Sequence, residues 1–332
     1  MLLHFNPERT FKIVTHGVML LAGMLLLSDC RDHQAHVRLR GKSMGTTWTL
    51  LVADNLPPAQ AREVQTLIDR ELQTLENEIS HWQKDSDLSR WNRSSSTAWQ
   101  TVPARLAEIV AAAKSIGNQT EGALDITVAP LVELWGFGPS THSEAVPSLP
   151  EIEAVLQRVG VRHVEANPTV PALRKDRPDV QINVAAVAEG YAMDRLIAML
   201  KEKGLHNFLF ELGGEVGAIG HAPGGDPWQV GIQLPEADKG ETLDTLPLTN
   251  LCVATSGTYR HRYQKNGHTF SHLIDPRTGR PVEHRLVAVS VIHEKCLAAD
   301  GFATALMVLG PEKGKAVAQR LGLRVIWLEE PP

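Results

Sequence analysis

"FLFELGGEVGAIG", residues 208–220, decides the fold of this 332-residue chain. Gly213, Gly214, Gly217 and Gly220 cluster behind a strand-like run, which invites a nucleotide-loop reading. The spacing is not G-x-G-x-x-G, and strand-like residues rather than a helix follow it. The stretch therefore reads as a β-turn, and a Rossmann-type fold is rejected. On its C-terminal side "WQVGIQL", "LCVATS", "TFSHLI" and "LVAVSVIH" read as strands separated by turns. A helix then begins near Ala298, and "RVIWL" (324–328) can supply one more strand.

The N-terminal side has a different period. "HVRLRGKSMGTTWTLLVA" reads as a hairpin punctuated by Gly41 and Gly45. "PAQAREVQTLIDRELQTLENEIS" then places Val64, Leu67, Ile68, Leu72, Leu75 and Ile79 on one helical stripe. A second helix runs from about Ala104 to Ile116 and stops at Gly117, a C-terminal signal. In "VPSLPEIEAVLQRVG", Ser148 is a candidate N-cap, Pro150 stands early in the helix and Gly160 ends it. A fourth helix covers roughly Ala185 to Lys203 and stops at Gly204. Long helices followed by hairpin-connected strands predict an α+β fold.

Hydrophobic content of 43% and charged content of 21% are ordinary for a globular protein. A net charge of -5 and the lack of a long basic run give no reason to expect nucleic acid as a partner. With only Tyr191, Tyr259 and Tyr263 as tyrosines, an aromatic platform has to use tryptophan or phenylalanine.

Arg9 and Lys12 precede "GVMLLAGMLLLSDC", whose apolar part runs from Gly17 to Leu27. That run is too short to span a bilayer, which takes about 20 residues. A basic segment, a short apolar core and a small polar exit describe an export signal over residues 1–30. Cys30 stands where a bacterial lipoprotein carries its acylated cysteine, with Asp29 in place of the usual small residue. An uncleaved anchor or a plain signal are the alternatives. Residues 31–37 then form a tether and 38–328 the folded domain, expected on the periplasmic side of the inner membrane. Cys252 and Cys296 could pair in such a compartment. Their apolar contexts favour two buried free thiols.

Four stretches carry candidate chemistry. In "AADGFATALMVLG", Asp300 and Thr304 stand four apart at a helix start, so both oxygens share a face and suit a hard cation. Taken alone, that pattern is more often a helix cap. "INVAAVAEGYAMDRL" has small residues from Ala185 to Ala188 at a helix start, open to an anion, with Glu189 facing solvent by default. "EGALDITVAPLVELWGFG" is a loop with Asp125 entering a buried run that ends in Trp135 and Phe137. "HTFSHLIDPRTGRPVEHR", residues 268–285, sets His272 among turn formers, and by itself His272 is a structural histidine beside a good turn.

Together these stretches resemble the FAD:protein FMN transferase family, often called the ApbE family. "GKSMGTTW", "SHWQKDSDLSRWN", "GALDITVAPLVELWGFG", "VAAVAEGYAMD", "ELGGEVGAIG", "VATSGTYR", "SHLIDPRTGRP" and "AADGFATALMVLG" occur in that family's order, across about residues 40 to 325. H-x-x-D-P-x-T-G followed by A-D-x-x-A-T is the specific part; the glycine loop alone is weak.

The resemblance implies an ApbE-like, T-fold-like α+β structure with antiparallel sheets, flanking helices and an FAD cleft. It implies an exported enzyme that binds FAD with Mg²⁺, joins FMN to a threonine of an acceptor protein and releases AMP. The implied acceptors are flavin-carrying subunits of membrane redox complexes. By resemblance, the metal ligands are the carboxylate of Asp300, the hydroxyl of Thr304 and the carbonyl of Ala186. Likewise His272 is the base for the threonine proton, a task an imidazole can perform near about pH 7. Met44, Trp82, Ala123, Leu124, Asp125, Asn183, Glu189 and Ile274 match flavin-nucleotide contacts, with Trp82 offering a stacking face.

Three positions depart from the family pattern. Asn183 replaces an aspartate, Ala303 stands where some relatives carry a second acidic ligand, and "WLEEPP" ends short of a final strand. The competing readings are an Mg²⁺-dependent FAD pyrophosphatase, a non-catalytic exported FAD-binding protein, and a solute-binding lipoprotein.

Overall fold

Phe208–Leu212 and Glu215–Ile219 pair antiparallel in the computed structural model, with Gly213 and Gly214 at positive φ in the turn between them. The structure describes residues 37–139, 146–233, 242–259, 262–265 and 267–330. The export signal, Cys30 and the tether up to residue 36 lie outside the described residues. Every described residue belongs to one unit, His36–Pro332.

The 208–219 hairpin sits inside a seven-stranded sheet. The strand order is Val37–Ser43, Thr46–Val52, Phe208–Leu212, Glu215–Ile219, Leu251–Gly257, Leu286–His293 and Arg324–Glu329, all neighbours antiparallel. The strand read at 324–328 is thus the far edge of this sheet. Because side chains alternate faces along a strand, the sheet serves two cores. Leu50, Phe208, Phe210, Val289 and Val291 point to the main core with the helices. Ala218, Val253 and Ile292 point to the other face, under the hairpin of Trp228–Gln233 and Thr242–Leu248. The second strand of that hairpin carries no clear period in the sequence.

Helices fill the long excursion between the second and third strands of the sheet. They are α1 (Pro58–Ile79), α2 (Asp87–Arg93), α3 (Ala104–Gln119), α4 (Ala129–Leu134), α5 (Leu149–Leu156) and α6 (Ala185–Glu202); α7 (Cys296–Arg320) follows the sixth strand. A small sheet of Gln100–Thr101, Val164–Asn167 and Ala172–Lys175 accompanies them. Val64, Ile68, Leu72, Leu75 and Ile79 of α1 are buried as the stripe predicts, while Leu67 is half-buried. At the head of α5, Glu151 accepts both the Ser148 amide at 2.8 Å and the Ser148 hydroxyl at 2.6 Å. That helix ends at Leu156, short of Gly160.

Three further sequence expectations change. Helix α3 runs past Gly117 to Gln119, and this glycine serves a close approach inside the helix rather than a stop. A Cβ there would lie 2.5 Å from the Leu124 carbonyl oxygen. Helix α7 starts at Cys296 rather than Ala298 and breaks at Gly310, whose φ is 76°. Pro311 has no N–H for the Met307 carbonyl, and the His284 Nε2–H donates to it instead at 2.7 Å. Finally, Cys252 and Cys296 are not free thiols but a disulfide with Cα atoms 5.0 Å apart. Both cysteines are buried, as their contexts implied. Only the packing of α7 on strand Leu251–Gly257 brings them together.

Candidate functional site

A cavity of about 610 Å³ opens where α6, α7, the sheet and the 123–138 and 272–276 segments meet. Its size suits a small-molecule ligand. It is lined by Trp82, Ala123, Leu124, Asp125, Asn183, Ala186, Glu189, His272, Ile274, Asp300 and Thr304. Residues that are distant in the chain therefore share one space.

The floor is acidic and rigidly built. Asp300 is buried in the second turn of α7, and its Oδ2 accepts the Gly190 N–H at 3.0 Å. That contact needs Gly190: a Cβ would come 2.5 Å from the Cys296 carbonyl oxygen and 2.8 Å from the Asp300 Cβ. Burial, followed by the neighbouring charges of Glu215 and Glu189, holds the Asp300 carboxyl well above its usual protonation range. One turn further on, the Thr304 hydroxyl is 3.0 Å from the Ser256 hydroxyl, and Thr255 is bonded to Ser290 at 2.7 Å. Ser256, Thr255 and Glu215 also line the cavity.

The head of α6 is set by a clamp from α2. Asn92 donates to the Ile182 carbonyl at 2.9 Å and accepts the Ile182 N–H at 2.9 Å, pinning the residue before Asn183. Behind it the buried Lys175 donates to the carbonyls of Trp91 and Asn92, each at 3.3 Å, and of Val180 at 3.0 Å. Asn183 donates its N–H to Ile126 at 2.7 Å, and its Oδ1 accepts the Ala185 N–H at 2.9 Å. An aspartate could make the same side-chain bond, so the substitution keeps the helix entry intact. Ala186 follows in the first turn, half-buried at the cavity wall.

Asp125 plays a more internal part than the sequence implied. Its carboxylate accepts from the Thr127 N–H at 2.8 Å, the Thr127 hydroxyl at 2.5 Å and the Val161 N–H at 2.8 Å. Burial pushes its pKa up, against these bonds. Asp125 lines the cavity with both carboxylate oxygens already holding internal donors, two on Oδ1 and one on Oδ2.

The rim is aromatic. Trp82 is 60% exposed and its ring lies 5.2 Å from that of His81. Burial lowers the His81 pKa from 6.5 to about 4, so this imidazole is neutral near about pH 7. His272, also in the lining, stands edge-on to Phe137 with ring centroids 6.4 Å apart.

The turn after His272 is a turn first. The Asp275 carboxylate accepts from the Arg277 N–H at 2.9 Å and from its guanidinium at 2.8 and 2.7 Å. Its carbonyl accepts the Gly279 N–H at 2.8 Å, and the Gly279 carbonyl accepts the buried Trp135 indole at 2.8 Å. Asp275 and Thr278 thus shape the loop, while His272, Leu273, Ile274 and Pro276 face the cavity.

Met44 is the exception among the residues expected here. It stands outside the cavity lining: its φ is 53° in the first hairpin, its N–H bonds to the Glu76 carboxylate, and its half-buried side chain packs against the main core. Residues that the sequence does not single out are His81, Glu215, Thr255, Ser256 and the Asn92 clamp. Each lies within a quoted motif, but nothing in the sequence says which side chains turn inward.

The fold and site define an α+β protein with a cleft that is acidic at its floor and aromatic at its rim. Residues 44–327 match the model of the ApbE family, and the chain belongs to that family. It is 37% identical over 310 residues to the FAD:protein FMN transferase of Vibrio cholerae, covering 93% of this chain and 92% of that one. The solved structure of the flavin transferase ApbE from Vibrio cholerae superposes with a TM-score of 0.81 at 35% identity, covering 90% of this chain and 94% of that one. The apo flavinyl transferase ApbE of Pseudomonas stutzeri gives a TM-score of 0.81 at 34% identity, covering 90% and 92%.

Proposed function

We propose that this chain is a flavin transferase that moves FMN from FAD onto a threonine hydroxyl of an acceptor protein, with AMP as the leaving group. Family membership and relatives of that activity over nearly the whole chain support the transfer. The observation that carries the site reading is the convergence of Asp300, Thr304, Ala186 and His272 on one cavity.

In this reading the cleft aligns FAD along its length, with Trp82 stacking on a ring at the open end. The acceptor oxygen forms its bond to the FMN phosphorus, the bridging P–O bond breaks toward AMP, and His272 takes the hydroxyl proton. Asp300, Thr304 and the Ala186 carbonyl would hold Mg²⁺. The donor set fits that ion: all oxygens, with a buried carboxylate crowded by Glu189 and Glu215 whose mutual repulsion a divalent cation relieves. Bound there, Mg²⁺ neutralises charge on the pyrophosphate.

Export and lipid anchoring at Cys30, on the periplasmic side of the inner membrane, belong to the same proposal. Acceptors in membrane redox complexes fit that location. The Cys252–Cys296 disulfide supports an oxidising compartment. Labelled-palmitate incorporation that is lost in Cys30→Ser tests the anchor.

The decisive experiment incubates the protein with FAD, Mg²⁺ and an acceptor carrying a threonine flavinylation segment. Covalent flavin on the acceptor with AMP release is expected. FMN and AMP without labelling would instead make it a pyrophosphatase, and intact bound FAD a carrier.

A further inference from the structure

Three fastenings hold the first two turns of α7, and two of them, the Asp194 bonds and the Cys252–Cys296 bridge, lie outside the cavity lining. The Asp194 carboxylate, reaching from α6, accepts the N–H of Cys296 at 2.9 Å and of Leu297 at 3.2 Å. These are helix-end donors that nothing inside α7 can satisfy. The Cys252–Cys296 disulfide ties the same turn to strand Leu251–Gly257. Gly190 lets α6 close on it, with Asp300 as the acceptor. Asp194 and both sulfurs lie within 4.8 Å of one another, the only such group of three metal-type ligands among the described residues, and the sulfurs are already bonded to each other.

The positions along each element make this arrangement more than a general staple. Cys296 lies one turn before Asp300 and two before Thr304 on α7, and Cys252 lies four residues before Ser256. Ser256 and Thr304 then meet again at 3.0 Å on the cavity side. Strand and helix are thus joined twice, by a covalent bridge behind the cavity and a hydrogen bond at its wall.

We propose that Asp194 and the Cys252–Cys296 bridge are positioning groups for the metal end of the site. They set the start of α7, and through it the reach of the Asp300 carboxylate and the Thr304 hydroxyl. The proposal rests on the reading of those two oxygens as Mg²⁺ ligands. Neither Asp194 nor the bridge lines the cavity.

The test compares the full chain with Asp194→Asn, a near-isosteric change, and with Cys252→Ser/Cys296→Ser. It reads FAD binding without metal by flavin fluorescence, Mg²⁺ binding by calorimetry, and turnover against Mg²⁺ concentration. Thiol titration of the denatured, unreduced wild type should find no free thiol at these two positions. For Asp194→Asn the Mg²⁺ concentration giving half-maximal turnover should rise about 10-fold, as for other groups that orient a metal ligand. The double serine variant should shift in the same direction. Metal-free FAD binding and turnover at saturating Mg²⁺ should stay near wild type. Unchanged Mg²⁺ dependence in both variants would overturn the proposal, as would a parallel fall in metal-free FAD binding or free thiols at 252 and 296. A wild type indifferent to Mg²⁺ would overturn the metal reading as well, which separates the two failures.

Discussion

The floor and the rim of the cavity are built by opposite means. The floor rests on the heads of two long helices and a central strand, with Asp300 buried and its neighbours hydrogen-bonded to one another. The rim rests on short connecting segments, where Trp82 stands 60% exposed and His272 is held by a turn that engages Asp275. Negative charge gathered in a low-dielectric floor interacts strongly and tolerates no misplacement. Exposed aromatic faces at the rim tolerate movement and let a large ligand, and then a second protein, approach. The difference teaches where each kind of substitution should act: chemistry and stability at the floor, binding and proton transfer at the rim.

The largest effect should come from the floor. Asp300→Ala should cut transfer by about 10³-fold even at saturating Mg²⁺, since a metal site supplies several kcal/mol to the transition state. A normal rate would remove Asp300 from the metal site and break the contrast. At the rim, His272→Ala should slow transfer by about 10²-fold while FAD binding stays near normal, the signature of a lost base. Lost FAD binding would make His272 a structural histidine.

Packing comes next. Gly190→Ala should lower unfolding free energy by about 1–3 kcal/mol in denaturant titrations, because backbone atoms of α7 occupy the space of the new methyl. Trp82→Ala should raise the KM for FAD about 10-fold with kcat unchanged, in line with stacking worth about 1–3 kcal/mol. An equal loss of kcat would move Trp82 from binding to chemistry.

The smallest effect separates rim from floor by pH. The folded-state pKa of His81 is lowered to about 4 from 6.5, so the unfolded chain takes up its proton first. The folded protein therefore loses stability from this group as pH falls from about 6.5 toward 4, and the loss is absent above that window. Urea midpoints measured across the range should fall less steeply for His81→Gln than for wild type. Identical slopes would mean that His81 is not desolvated.

Much of this was legible in the sequence because it is local. The period-2 runs, the turn at Gly213–Gly214 and the stripe on α1 each follow from contacts a few residues apart. The motif residues that meet in the cavity were legible only as a resemblance, since no spacing relates Asp300 to Ala186 or His272. Met44 belongs to a matching motif, yet the fold sets its backbone at φ 53° and its half-buried side chain against the main core, which no local pattern foretells. Asp125 adds partners that the motif alone does not give, since three internal donors reach its carboxylate while it lines the cavity. Gly117 reads as a helix stop, and only the Leu124 carbonyl packed against it explains why a glycine stands inside the helix.

What the chain determined by itself was its α+β character, the hairpins and most of the helices, because backbone preference and side-chain period are properties of neighbouring residues. What only the tertiary structure decided was which groups face one another: the cysteine pair, the inward turn of Glu215 and the Asp194 bonds at the head of α7. Those outcomes depend on the packing of α6 and α7 against the sheet, where a few ångströms between elements far apart in the chain settle whether two side chains ever meet.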